Sequence, residues 1–198
     1  MEYNKKMISL SLSELFDGNL FAVSGVMANI QAESAYKPNN LQNSYEKIFN
    51  LTDQQYTAGV DIGKIDKETF MHDHAGYGLC QWTHWSRKQT LYEYAKKSNE
   101  SIGNLNMQIG YLCEDIRLRY SKMYEKLKVS NSVDDATRIF MLEYEKPANQ
   151  TEENIQKRID IGKQIYSELT SVDAMKHDIL SAIAVIESQI DLIKESLR

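Results

Sequence analysis

Residues 25–34 read Gly25-Val26-Met27-Ala28-Asn29-Ile30-Gln31-Ala32-Glu33-Ser34, an apolar helical run that ends on a carboxylic acid. Leu20, Val23, Met27 and Ile30 recur at steps of three and four, which puts one helical face in a core and brings Glu33 close to that face at the last turn. An acid there is partly desolvated and lies at the negative end of the helix dipole, and both effects disfavour the carboxylate. A glutamate that keeps its proton near neutral pH can protonate a leaving oxygen, which is what breaking a glycosidic bond requires. A surface glutamate closing a helix would read the same way in isolation, so Glu33 gains meaning only from the rest of the chain.

The second informative stretch is Ala75-Gly76-Tyr77-Gly78-Leu79-Cys80-Gln81-Trp82-Thr83-His84-Trp85-Ser86-Arg87. Gly76 and Gly78 allow tight turns and close approach of backbone to a ligand, Gln81 offers an amide, and Trp82 and Trp85 offer flat faces that stack on pyranose rings. The pattern reads as a sugar-binding wall, although glycines marking a loop and tryptophans filling a core fit it as well.

Glu33-Ser34 followed by Gly78-Leu79-Cys80-Gln81-Trp82 resembles the Glu-Ser and Gly-Leu-x-Gln pair of lytic transglycosylases and goose-type lysozymes. The wider set is residues 25–38, Asp73-His74-Ala75-Gly76-Tyr77-Gly78-Leu79-Cys80-Gln81-Trp82-Thr83, Arg87-Lys88, and Phe140 with Tyr144-Glu145-Lys146-Pro147. Together these resemble the phage tail lysozyme family over roughly residues 10–168. The resemblance implies a glycosidase that cuts the glycan strand of peptidoglycan between N-acetylmuramic acid and N-acetylglucosamine, from a phage endolysin or a tail-associated lysin. It also implies Glu33 as the catalytic acid and Gln81 as the cleft amide, with Tyr77, Trp82 and Arg87 in the same block and Tyr144 lining the cleft. Cys80 stands where the family more usually has alanine.

Composition agrees. The 198 residues are 42% hydrophobic and 26% charged, enough for one sizeable core and not for two large domains. Only 2 prolines and 9 glycines interrupt stretches of helical period, which predicts a mainly α domain with helices near 19–33, 44–51, 83–98, 104–127, 132–145 and 151–168, while the resemblance implies a lysozyme-like α+β fold. Between Asp53 and His74, Gly59 and Gly63 with alternating Val60, Ile62 and Ile65 predict a small β-hairpin or irregular lobe facing the helical one. Residues 1–169 form the expected catalytic domain.

A glycoside hydrolase wants a second carboxylate, and Asp53, Asp61, Asp66 and Asp73 lie in the lobe. Asp73, just ahead of the Gly76–Gln81 loop, is the expected partner, to position water or stabilise the oxocarbenium-like transition state; capping a turn is the alternative. A lytic transglycosylase needs none, because the sugar's own 6-hydroxyl attacks. Glu145, at a helix end before Pro147, reads as a structural ion pair or cap, with a catalytic role as the alternative. No cofactor or metal is expected, since Cys80, His72, His74, His84 and the distant His177 lack zinc-ligand spacing and no orienting partner supports a Cys80–His84 nucleophile. An amidase or endopeptidase acting on the peptide stem is disfavoured for the same reason. A non-catalytic glycan-binding or structural tail module is the competing class. Cys80 and Cys113 are too few for a disulfide scaffold and are expected as free thiols.

A net charge of -5 and a pI near 5.4 argue against nucleic acid as a partner; the resemblance implies peptidoglycan, met through the cleft itself or through a separate targeting part. Beyond residue 170, Val172, Ile179, Ile183, Ile186, Ile190, Ile193 and Leu197 make a heptad seam, with Lys176 the polar exception; residues 170–198 are read as an oligomerisation or linker helix. Isoleucine at both seam positions favours a homo-oligomer of three or four chains through residues 172–197, while a helix folded back on the domain is the alternative. No signal peptide or membrane-inserting run is visible in Lys5-Lys6-Met7-Ile8-Ser9-Leu10-Ser11-Leu12 and beyond. The expectation is a protein made in the host cytoplasm that reaches the wall after holin-type release or as part of a virion.

Overall fold

A computed structural model describes residues 2–196. Beyond Val172 it describes the side chains of Met175, Ile179, Leu180, Ile183 and Ile190. The helices run α1 Glu2–Leu15, α2 Leu20–Ser34, α3 Asn43–Phe49, α4 Asp53–Asp61, α5 Lys67–His72, α6 Trp85–Ser98, α7 Leu105–Leu118, α8 Ser121–Lys128 and α9 Val133–Phe140. A π-helical turn, Met141–Glu145, extends α9, and α10 spans Glu152–Ser196.

Helix α2 is the axle. Every residue from Ala22 to Ile30 is buried, not just one face. Small residues make this arrangement fit. A Cβ on Gly25 would lie 2.7 Å from the backbone and Cβ of Ala136 in α9, and one on Gly162 of α10 would lie 2.7 Å from Val133 Cγ1 and 3.4 Å from Ala28 Cβ. Three helices therefore meet at backbone distance, and the long side chains of α2 fill the space on its other sides. Asn19 caps the first turn, its side chain accepting from Phe21 N at 3.0 Å and Ala22 N at 3.3 Å, while its Nδ2 donates to Lys128 O and Ser130 O. At the far end Ala35 turns left-handed (φ 50°), which stops the helix one residue after Ser34.

The mainly α expectation holds, but the β-hairpin lobe does not: residues 53–72 form α4 and α5. Local capping decides this. Thr52 and Gln55 form a capping box at the start of α4, and Asp66 accepts from Thr69 N at 2.7 Å at the start of α5. The apparent alternation is misleading, since Val60 is buried on α4, Ile62 just past its end is exposed, and Ile65 packs over Gly59. Strand pairing among the described residues is limited to isolated bridges of Tyr77 with Leu41 and with Trp82.

Three further boundaries differ from expectation. Helix α1 was not anticipated, although Ile8, Leu12 and Leu15 supply its buried face at helical spacing. The run expected over 104–127 breaks at Arg119 and Tyr120, whose N–H groups both reach Asp115 O. Helix α10 passes through residue 169 without interruption; Val172, Met175, Ile179, Leu180, Ile183 and Ile190 are exposed, and the side chains of Ile186, Ile193 and Leu197 lie outside the described residues.

Gly25→Ala separates helix propensity from packing. Propensity alone would stabilise α2 by up to about 1 kcal/mol, whereas forcing a methyl into the α9 contact costs about 1–3 kcal/mol. The urea midpoint is therefore expected to fall, and a rise would mean that α9 withdraws freely.

Candidate active site

The loop between α5 and α6 is held at its start and in its middle. At its start Asp73 Oδ1 accepts from Ala75 N at 2.9 Å and from the Lys88 ammonium, which also donates to Ala75 O at 3.1 Å; Asp73 Oδ2 takes the Tyr56 hydroxyl. Lys88 is sealed from solvent over the Phe70 ring at 4.4 Å. Burial pulls its ammonium below the ordinary lysine range, and Asp73 opposes that pull. In the middle, buried Gln108 accepts from Leu79 N at 2.9 Å and lies where a Cβ on Gly78 would be, at 2.7 Å. Gly78 has φ +79°, so both its conformation and its lack of a side chain are used. Gly76 O accepts from Gln42 N at 2.9 Å and Gly76 N donates to the Gln42 side-chain Oε1 at 3.0 Å, and Gly78 N donates to Asn40 O.

Ser34 joins the two sequence motifs. Its buried hydroxyl donates to Leu79 O at 2.8 Å, so the end of α2 is tied to the Gly78–Gln81 turn and Glu33 is carried to the wall of a cleft of about 1060 Å³. Gln81, at φ 44°, donates through Nε2 to Asn40 O and Gly78 O, which leaves its amide oxygen toward Gly76 and the cleft. Glu33 is bound by Arg158 of α10, whose Nη2 donates to Oε1 at 2.6 Å while Nη1 donates to buried Asn29 Oδ1 at 2.9 Å. A second groove of about 560 Å³, lined by Gln31, Lys37, Asn40, Asn43 and Ser44, shares Glu33, Gln42 and Gln81 with the first. Glu33 thus stands where an amide-rich groove meets one walled by Trp85, Tyr45 and Tyr120.

The expected residues divide. Glu33, Gln81, Trp85, Arg87 and Tyr144 line the cleft. Trp85 is 48% exposed and lies beside the His72 ring, as a stacking platform requires. Trp82 and Tyr77 do not line the cleft. Trp82 is fully buried, donating from Nε1 to Tyr144 Oη at 3.2 Å and packing edge-on to Tyr111, and Tyr77 is buried with its hydroxyl 2.6 Å from Thr57 Oγ1. Both faces of each ring are taken by protein. Asp73 is likewise placed away from the cleft wall, with both carboxylate oxygens engaged by Lys88, Tyr56 and Ala75 N. Its position before the loop reflects anchoring.

Two charged residues join the site beyond the expected set, Arg158 and Glu145. Arg158 comes from a helix 125 residues downstream of Glu33, with no local signal. Glu145, at the end of the π-helical turn, lines the cleft with Oε1 buried and without a partner. Burial pushes its carboxyl up to about 8, with Glu33 adding to the rise and Arg87 opposing it. Arg87 stacks over Tyr144 at 4.2 Å and donates to Tyr144 O, while its Nε and Nη2 are buried without a hydrogen bond, Nη2 lying 4.0 Å from Asp115 Oδ2. Cys80 lies beside Glu145; burial raises its thiol well above the ordinary range, and both cysteines are free. Among the described residues no three His, Cys, Asp or Glu side chains converge to hold a metal ion, and no helix is long and apolar enough to cross a membrane.

The family model described as phage tail lysozyme matches residues 6–169, and the chain belongs to that family. No curated protein and no solved structure matches.

The anchoring role of Asp73 has a measurable signature. Asp73→Ala leaves the Lys88 ammonium buried without a counter-charge, a loss of about 3–5 kcal/mol. The melting temperature is expected to drop sharply. A variant that melts like the wild type yet loses turnover would return Asp73 to the chemistry.

Proposed function

We propose that the chain cleaves the glycan strand of peptidoglycan between N-acetylmuramic acid and N-acetylglucosamine, with Glu33 as general acid. The observation that carries this reading is the Ser34 hydroxyl bond to Leu79 O, which sets Glu33 at the junction of the two grooves beside Gln81. A polymer lying along both grooves presents a glycosidic oxygen to Glu33. Proton transfer from the carboxyl to that oxygen breaks the bond to the anomeric carbon, and the sugar left behind carries oxocarbenium character. Glu33, now anionic beside Arg158, takes the proton back from the attacking hydroxyl, either of water or of the sugar's own 6-position. Arg158 positions the carboxyl, Trp85 stacks on a ring, and the amides of the second groove suit acetamido and hydroxyl groups. Family membership supports a peptidoglycan hydrolase or transglycosylase; the bond, the acid and service as endolysin or tail lysin belong to this proposal.

Residues 1–169 form the catalytic domain in this reading, and residues 170–198 an assembly helix. The exposed Val172, Met175, Ile179, Ile183 and Ile190 favour association with further copies over folding back on the domain. Ile183→Asp with Ile190→Asp is expected to convert an oligomer to monomer in light scattering at tens of micromolar, roughly where weak coiled coils assemble. Rate per chain should not change. A monomeric wild type would leave the helix as a linker.

For the chemistry, Glu33→Gln keeps shape and removes the transferable proton, so clearance of a wall suspension is expected to slow by roughly two to four orders of magnitude with circular dichroism unchanged. Near-normal clearance contradicts the acid role. A wild type that binds walls and never clears them would point to a glycan-binding tail module.

A further inference from the structure

We propose that a third groove, opening from the Tyr120 wall of the cleft, binds the stem peptide of the wall polymer through its carboxylates. The proposal deepens the reading of the cleft as a peptidoglycan site and rests on it. The groove measures about 490 Å³ and shares Tyr120 and Lys146 with the cleft, whereas the second groove shares Glu33, Gln42 and Gln81 with it. The two therefore leave the cleft by different walls.

Their linings differ in chemistry. The second groove offers the side-chain amides of Gln31, Asn40 and Asn43, which suit neutral sugars. Among the described residues the third groove has no side-chain amide, and it carries three cations instead, Arg119, Lys122 and Lys146, on a chain whose net charge is -5. Glu143, the acid in that lining, is already paired with Lys126 at 2.7 Å. Lys122 and Lys146 are exposed and pair with no carboxylate among the described residues. Arg119 is held in place, its Nε lying 2.5 Å from Oδ1 of buried Asp115 and its guanidinium 5.7 Å from the centre of the Tyr111 ring. Lys146 closes the π-helical turn at φ 50°, with its N donating to Met141 O at 2.8 Å. Glycine takes that conformation most readily, yet a lysine occupies it, at the border where groove meets cleft. Leu142, 40% exposed on the same turn, adds an apolar wall.

Peptidoglycan has one component of matching chemistry. N-acetylmuramic acid carries a stem peptide on its lactyl group, with free carboxylates and alanine methyl groups, while the sugar strand between stems is uncharged. Carboxylates pair with the ammonium and guanidinium groups, and methyls pack on Leu142. The stem branches from the strand as the third groove branches from the cleft. Ion pairs with exposed lysines contribute modestly, so the groove biases binding toward charged stems by about tenfold rather than by orders of magnitude.

Calorimetric titration of soluble, uncrosslinked glycan strands into the full chain carrying Glu33→Gln tests this. One preparation is used twice, with the stem carboxylates free and after their conversion to primary amides. Free-carboxylate strands are expected to bind about tenfold more tightly at low salt, and the preference should vanish near 1 M salt, where charges are screened within about 3 Å. Lys122→Gln with Lys146→Gln should also abolish it; Arg119 is left in place because it holds Asp115. Equal affinity for the two strand preparations overturns the proposal, as does a preference that survives both lysine substitutions in a chain of unchanged circular dichroism. Equal affinity together with lysine-dependent binding of a phosphodiester wall polymer would assign the groove to that polymer instead, and so also overturns it. Strands shortened in the Glu33→Gln samples would defeat the acid role beneath the proposal, a separate failure. Free stem peptide, which no glycosidase cuts, then decides: the wild type should bind it with a preference for free carboxylates, and a wild type without that preference overturns the proposal.

Discussion

A lysine sealed from water needs a counter-charge, and Lys88 has one in Asp73. From that pair the geometry of the cleft follows. The ammonium also binds Ala75 O, Asp73 also holds Ala75 N and the Tyr56 hydroxyl, and the start of the Gly76–Gln81 loop is thereby fixed to α4 and α6 at once. Gln108 then sets the middle of the loop through Leu79 N, and Ser34 ties Leu79 O to the end of α2. Each of these bonds is short-range, but in series they connect a buried ion pair to the carboxyl at the cleft wall. Loosening the first would let the others drift, because the loop has no sheet to support it.

The close meeting of α2, α9 and α10 supplies the other half of the site. Gly25 and Gly162 remove the side chains that would hold these helices apart, and the resulting contact brings Arg158 within reach of both Asn29 and Glu33. Asn29 is occupied on three sides, donating to Gly25 O and Thr137 O and accepting from Arg158, so the guanidinium has one orientation available to it. The packing that stabilises the domain also aims its cation at the cleft wall.

Much of this was legible in the chain. The apolar run 20–33 located the central helix, and Glu33-Ser34 with Gly78-Leu79-Cys80-Gln81 located two segments that the Ser34 bond brings together. What failed did so for identifiable reasons. Val60, Ile62 and Ile65 alternate in sequence, yet the caps at Thr52 and Asp66 outweigh so short a pattern. An aromatic side chain in a glycine-rich loop does not declare which way it faces, so Trp82 and Trp85 read alike as platforms although Trp82 is core and Trp85 exposed, and Tyr77 of the same block is core as well. Asp73 has the right position for chemistry and the wrong neighbours, and Lys88, which decides the matter, carries no mark of burial in the sequence. Arg158 depends on helix packing across the whole domain, and Glu145 on a π turn that periodicity does not encode.

The central claim is that Glu33 delivers a proton to a glycosidic oxygen of the wall polymer. Mass spectrometry of the fragments that the wild-type chain releases from purified peptidoglycan tests it most directly. The account predicts glycan fragments cut on the reducing side of N-acetylmuramic acid, ending either in a reducing sugar or in a 1,6-anhydro ring according to which hydroxyl attacks, and none from Glu33→Gln protein. Intact glycan strands with new amino groups on the peptide stems would contradict it.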